Sequence, residues 1–367
     1  MIESARARLR RRYGRGRLVR LSPIFLTVVI ASLAYATPPD MAFSRLLPAA
    51  PALAAAMWPV FPTILLGTVC LLLMIGLGMV FPDLGTWWTA GGIIAVTVAA
   101  AYGSHLRLQR ERTLFQVRLV ADAAQQVVLR PVPRHIRNIA IESLYLAAAA
   151  EARIGGDFYE AADTPHGVRL LIGDVRGKGL PAVGAAAAIV NAFREAAYAE
   201  THLIDIARRL EACCIRYNDA FPAEGSMERF ATALLVEIPH GDKRIHILNC
   251  GHPPPLLLSR GTLRVLESSN PSPLLSLSEL IGEHYTVDTF DWAPGALLLL
   301  YTDGIAEARA HDGEFFPLTD WMGRQPRTPP RELLTALHRD LLRYTKGRLD
   351  DDIAALVVHF GEPGGPL

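Results

Sequence analysis

The stretch LLIGDVRGKGLPAVGAAAAIV, residues 170–190, sets Asp174 between an apolar run and a glycine-rich turn. It is not a nucleotide loop. A P-loop needs four residues between its first Gly and the Gly-Lys, then Ser or Thr, whereas three separate Gly173 from Gly177-Lys178 and Gly179 follows. An Asp inside such a loop would also repel the phosphate that backbone N–H groups and the Lys are there to hold. A carboxylate here suits a metal ion better. Residues 170–173 read as a buried strand and 180–190 as an Ala-rich helix, which places Asp174 at a strand's C-terminal end, where sites often lie.

Three further acids share that setting. Asp157 lies in RIGGDFYE, Asp303 in LLLLYTDGIAEAR where an apolar run ends, and Asp351 in RLDDDIAALVV just before one. An Asp-Gly pair at a strand end is by itself an ordinary turn. Four acids at strand boundaries, each beside small or turn-forming residues, are different, because adjacent strand ends can bring their side chains to one spot. Oxygen-only ligands favour hard cations, so with no His or Cys at comparable positions Mg²⁺ or Mn²⁺ is expected rather than zinc. Two such ions can lower the pKa of a shared water and stabilise in-line attack on phosphorus.

The elements around these acids fall into two halves. Over 367 residues the formal net charge is only +1, which calls for no polyanion, and no nucleic-acid partner is expected. The hydrophobic fraction of 51% is concentrated before residue 105. A basic N-terminus, ARARLRRRYGRGRLVR, leads into an apolar stretch over 21–36, and the segments 43–58, 61–81 and 87–102 follow, the last running into the basic HLRLQRER. Basic flanks stay in the cytoplasm, and two of them require an even number of crossings, so four spans are expected. The Ala- and Pro-rich second segment has a re-entrant hairpin as its alternative. ASLAYA resembles a secretory cleavage site, but the hydrophobic segments beyond it argue for retention. Cys70, Cys213, Cys214 and Cys250 have no zinc-like spacing and read as reduced and structural.

Residues 104–130 read as a helix continuous with the last span. Leu114, Val117, Ala121, Ala124 and Val128 recur at alternating three and four spacing, a seam on which two copies would pair in parallel as a homodimer; Pro131 and Pro133 end it. Beyond lie strand-like runs at 142–150, 168–174, 231–238, 244–250, 296–302 and 353–360, interleaved with helices near 178–199, 202–220 and 330–345. The organisation expected is a basic cytoplasmic N-terminus (1–20), a transmembrane bundle (21–103), a linker helix (104–130), a catalytic domain (131–361) and a short tail (362–367).

AQQVVLRPVP, ARIGGDFYE, IGDVRGKGLPA, RFATALLVEI, LNCGHPPPLLL, LLLLYTDGIAEAR and DDIAALVV, in this order across 125–360, resemble the sporulation protein E-type branch of the metal-dependent protein phosphatase (protein phosphatase 2C, PPM) superfamily. The resemblance implies an α+β fold, an αββα four-layer sandwich, behind the transmembrane helical bundle and linker helix. It also implies two Mn²⁺ or Mg²⁺ ions. Asp174 would be shared by both, Asp157 and the Val175 carbonyl would serve the second, and Asp303 and Asp351 the first, with Asp350 and Asp352 as alternatives in register. Arg153 resembles the phosphate-binding Arg, its alternative being a strand-edge salt bridge. The implied reaction is hydrolysis of phosphoserine or phosphothreonine by a metal-activated water. The implied substrate is a phosphorylated STAS-type anti-sigma-factor antagonist, met by a multi-pass membrane protein whose catalytic domain is cytoplasmic.

Asp174-Val175-Arg176 departs from the Asp-Gly-His of eukaryotic relatives, so another group must protonate the leaving oxygen. Arg176 is either a bidentate phosphate clamp or a solvated side chain. His252, in NCGHPPP, is read as a turn residue rather than a general acid. Two other classes of function compete: a silent phosphatase-like module that binds such a partner at the membrane, against which the retained acids argue, and a transporter, weakened by spans without interior charge.

Overall fold

The computed structural model describes residues 20–37, 43–80, 86–147, 155–222, 229–281, 284–325 and 328–361. The chain divides into two compact units, 1–116 and 117–367.

The first unit contains α1 (Ser22–Ala36), a 3-10 turn (Phe43–Leu46), α2 (Ala49–Ala55), α3 (Val60–Val80) and most of α4 (Thr86–Val128), a single helix that continues into the second unit. Val60–Val80 and Thr86–Thr113 are long and apolar enough to cross a bilayer, and Ser22–Ala36 is apolar but shorter. The pair α3 and α4 runs antiparallel: Thr63 meets Ser104, and Gly67 and Gly78 face Thr97 and Thr86. A Cβ on Gly67 would come within 2.2 Å of Thr97 Oγ1, so glycine permits the close approach.

The expectation of a spanning helix over 43–58 is corrected here. That segment is a 3-10 turn followed by the seven-residue α2, broken at Pro48. Seven residues rise only about 10 Å, against a hydrocarbon core of about 30 Å. The broken segment still carries the chain back to the end where α1 starts. Trp58 Nε1 donates to the Arg20 carbonyl at 2.8 Å, and the Arg107 guanidinium donates to the carbonyls of Ala56 and Trp58. Arg20 and Arg107 therefore lie at the same end of the bundle.

The second unit begins with β1 (His135–Ile136), β2 (Ile139–Leu146), β3 (Phe158–Thr164) and β4 (Gly167–Val175), then α5 (Leu180–Ala199) and α6 (Leu203–Ala220). There follow β5 (Ala231–Ile238), β6 (Arg244–Cys250), β7 (Leu256–Ser259), β8 (Thr262–Val265), α7 (Ser278–Ile281), β9 (Val287–Asp291), β10 (Leu297–Tyr301), α8 (Asp303–Ala306), α9 (Leu318–Gly323), α10 (Pro330–Tyr344) and β11 (Ile353–Phe360). One sheet has the order β1-β2-β11-β10-β7-β8 and the other β3-β4-β5-β6-β9.

The two sheets pack face to face and helices cover both outer faces, which is why the central strands are apolar on both sides. Leu170 and Ile172 of β4 point into the inter-sheet core with Leu298, Leu300, Leu356 and Val358, while Leu171 and Val175 point outward beneath α5 and α6. Leu297, Leu299, Ala355 and Val357 take the opposite outer face with Leu333, Leu337 and Leu341 of α10. Each fully buried Leu or Ile contributes about 1.5–3 kcal/mol relative to exposure. The Ala-rich face of α5 (Ala182, Ala185, Ala186, Ile189, Phe193) lets that helix lie close on its sheet and against α6. The four layers are therefore helix, sheet, sheet, helix, and the strand ends left between them carry the acids.

Candidate metal centre

Asp174 is the next-to-last residue of β4 and pairs in register with Thr232 of β5, whose Oγ1 accepts the Asp174 N–H at 3.3 Å. Asp157 immediately precedes β3, and it is brought to the same place because Val175 N–H donates to the Gly156 carbonyl at 3.2 Å. Gly156 is required for that approach, since a Cβ there would come within 2.5 Å of the Val175 carbonyl oxygen. These two acids and the Val175 carbonyl belong to the five-stranded sheet.

The other acids come from the six-stranded sheet. Asp303 opens α8 directly after β10, and its neighbour Gly304 packs on the Asp352 carbonyl so closely that no side chain fits. Asp351 lies two residues before β11, half exposed, and its Oδ1 is 3.0 Å from Lys178 Nζ. The neighbours of Asp351 differ sharply. Asp350 is exposed, in a surface cleft with Gly304, Glu307, Arg309 and Arg348. Asp352 is 1% exposed and already committed: its Oδ2 accepts from Tyr145 O–H at 2.6 Å and Gly155 N–H at 2.8 Å. The buried side chain of the Asp triplet thus ties two loops together, and Asp351 is the one paired with Lys178, while the charges of both Asp351 and Asp352 reach Asp174. Arg153 lies outside the described residues.

The acids act on one another. Asp157 is buried, and burial, then the charge of Asp174, pushes its carboxyl well above the usual range, with a hydrogen bond from Thr302 opposing. Burial and the charge of Asp303 push Asp174 up to about 7. Asp303 is raised by burial, then by Asp351 and Glu307. Among the described residues, no three His, Cys, Asp or Glu form a closed ligand cage. The donors are nonetheless chemically right for a hard divalent cation: all are oxygens, several carry raised carboxyl pKa values, and Lys178 is the cation paired with the group.

His252 is buried, and burial pushes its imidazole down to about 3, so at neutral pH it is neutral rather than the imidazolium that a general acid requires. Its Nδ1 lies 3.0 Å from Thr232 Oγ1. Arg176 stacks over the Phe230 ring at 4.9 Å. Sequence reasoning missed Thr232, Thr302 and Tyr145; a threonine directly before an Asp-Gly is the one signal that pointed to any of them.

Two antiparallel sheets between helix layers, with acids at the ends of the central strands, define the α+β fold of protein phosphatase 2C. The fold is shared with the SiaA-PP2C domain of Pseudomonas aeruginosa, at a TM-score of 0.55 and 19% identity, over 70% of this chain and 98% of that one. The model of the Stage II sporulation protein E (SpoIIE) family matches residues 164–361, more than half of the chain, and the chain belongs to that family. It is 26% identical to Protein IcfG of Synechocystis sp. over 231 residues, 56% of this chain and 36% of that protein. To Phosphoserine phosphatase RsbP of Bacillus subtilis it is 24% identical over 224 residues, 60% of this chain and 52% of that protein. It therefore spans between about a third and about half of these curated relatives.

Proposed function

We propose that this chain is a membrane-anchored, divalent-metal-dependent protein serine/threonine phosphatase acting on a cytoplasmic phosphoprotein. The observation that carries the reading is the meeting of acids from two sheets: the charges of Asp303 and Asp351 reach Asp174, that of Asp174 reaches Asp157, and that of Asp351 reaches Asp303. Asp174 would be shared between two Mn²⁺ or Mg²⁺ ions, Asp157 and the Val175 carbonyl would hold the second, and Asp303 and Asp351 the first. The ions would supply an activated water for attack on phosphorus. Lys178 offsets charge at Asp351, and Arg153 would bind the phosphoryl group. The substrate class that the family resemblance favours is a phosphorylated STAS-type anti-sigma-factor antagonist. The test is Mn²⁺-dependent phosphate release by the full chain from a panel of phosphorylated STAS proteins. Binding without release would leave a silent partner-binding module.

Anchoring through several spans, with the catalytic unit in the cytoplasm, is supported by the apolar helices and by Arg20 and Arg107 standing at one end of the bundle. Reporter fusions at Tyr13 and Leu367 are expected to give the same cytoplasmic signal. An external signal at Leu367 would mean an odd number of crossings and remove a cytoplasmic substrate.

The continuous α4 also fits a homodimer paired in parallel along 114–128, in a seam weakened by its alanines. Single cysteines at Val117 and Ala124, in a background without native cysteines, are expected to cross-link in membranes more readily than cysteines at Arg118 or Asp122. Equal cross-linking around the helix would leave a passive tether.

A further inference from the structure

The proposed ligands come half from each sheet, Asp157 and Asp174 from one and Asp303 and Asp351 from the other, and nothing covalent sets the distance between the halves. Apolar packing between sheets is dense but carries no directional information, whereas a metal site tolerates misplacement of about 0.5 Å at most. Besides the Gly155–Asp352 hydrogen bond and the Lys178–Asp351 pair, which also join the two sheets at this end of the sandwich, two polar links bear directly on the ligands carried by the five-stranded sheet.

Thr302, the residue before Asp303, is fully buried. Its Oγ1 accepts the Ala354 N–H at 2.9 Å, which leaves the hydroxyl hydrogen free to be aimed at Asp157 Oδ2, 2.8 Å away; the competing acceptor, the Ala354 carbonyl, is farther, at 3.4 Å. The six-stranded sheet therefore holds one oxygen of an acid carried by the five-stranded sheet. The second link runs through His252. Thr232 Oγ1 accepts the Asp174 N–H and shares a second hydrogen bond with His252 Nδ1, 3.0 Å away. His252 Nε2 is buried alongside the Tyr301 backbone without a well-formed hydrogen bond. Thr302 and the Tyr301 backbone beside His252 both belong to the strand end 301–303 that delivers Asp303; the Thr302 link is a completed hydrogen bond between the sheets, the His252 one a buried contact.

We propose that Thr302 and His252 are positioning residues that hold the carboxylates of the two sheets at the separation the ions require. The inference rests on the two-metal phosphatase reading. Outer-shell partners of this kind orient ligands, and their loss typically weakens metal binding about 10–100-fold.

The experiment uses the full chain in detergent and measures Mn²⁺ binding by calorimetry, the Mn²⁺ concentration for half-maximal activity, KM for the phosphoprotein, and Tm in EDTA. Thr302→Val removes the hydroxyl at nearly constant shape. It should weaken Mn²⁺ binding about 10–100-fold and raise the half-activating Mn²⁺ in parallel, while KM stays within about twofold. Thr302→Ser, which keeps the donor, should restore affinity, and Thr232→Val, which cuts the His252 link, should weaken it. Wild-type Mn²⁺ affinity in Thr302→Val, whatever its Tm, would overturn the inference, as would a Ser variant no better than Val. If Thr302→Val does not fold, the same comparison is made between Thr302→Ala and Thr302→Ser. Asp174→Asn separates the two ideas. Unchanged Mn²⁺ binding there would bring down the metal reading and this inference with it, whereas lost binding there beside normal binding in Thr302→Val overturns the inference alone.

Discussion

Asp174→Asn is expected to lose more activity than the roughly 10–100-fold typical of an outer-shell partner, because a neutral amide cannot hold two divalent cations as a shared carboxylate does. It should nevertheless fold, and in EDTA it should be more stable than wild type at pH 8. The sign follows from the raised pKa. A carboxyl pushed up to about 7 in the folded chain is ionised more easily when unfolded, so its charge disfavours folding as pH rises above the unfolded value, and fully so above about 7. Removing that charge relieves the penalty at pH 8 and does nothing near pH 3, where the acid is protonated in both states. Phosphate release at the wild-type rate by this variant would remove the dinuclear reading. A lower Tm in EDTA at pH 8 would instead show that Asp174 serves the fold.

The second large effect is the response to metal. EDTA should abolish phosphate release, and Mn²⁺ should restore it. Mn²⁺ should also raise Tm, since ions that bind only the folded chain at 100 times their Kd stabilise it by about 2.7 kcal/mol per site. At about 2–4 °C per kcal/mol for a domain of this size, that is a shift of roughly 5–10 °C. The shift should shrink as pH falls below 7, because Asp174, raised to about 7, and Asp157, raised by burial, must be ionised before they can coordinate. Restoration by Zn²⁺ alone would contradict the argument from oxygen-only ligands.

Much of the second unit was legible from the strand periodicity. The runs at 231–238, 244–250 and 353–360 coincide with β5, β6 and β11, and 168–174 with most of β4, because a strand covered on both faces is written as an unbroken apolar run. β3 was not legible. Its FYEAADT carries acids at Glu160 and Asp163, and only the folded chain supplies the Arg194 that lies 2.5 Å from buried Glu160. The segment 43–58 misled for the opposite reason: its apolar composition is that of a span, while Pro48 breaks its helix.

At the site, sequence alone determined which acids stand at strand boundaries and, from their oxygen-only chemistry, which class of cation they suit. Those are properties of residue type and local pattern, readable without knowing what lies across the fold. The tertiary structure decided everything that depends on distance between residues far apart in the chain. It separated Asp351, facing Lys178, from Asp352, spent on Tyr145 and Gly155, in a triplet whose composition treats the three alike. It withdrew His252 from acid catalysis by burying it, and it placed the Thr302 hydroxyl on Asp157 across the gap between sheets. Burial and long-range hydrogen bonds are made by strands brought together from more than a hundred residues apart, so no local pattern records them.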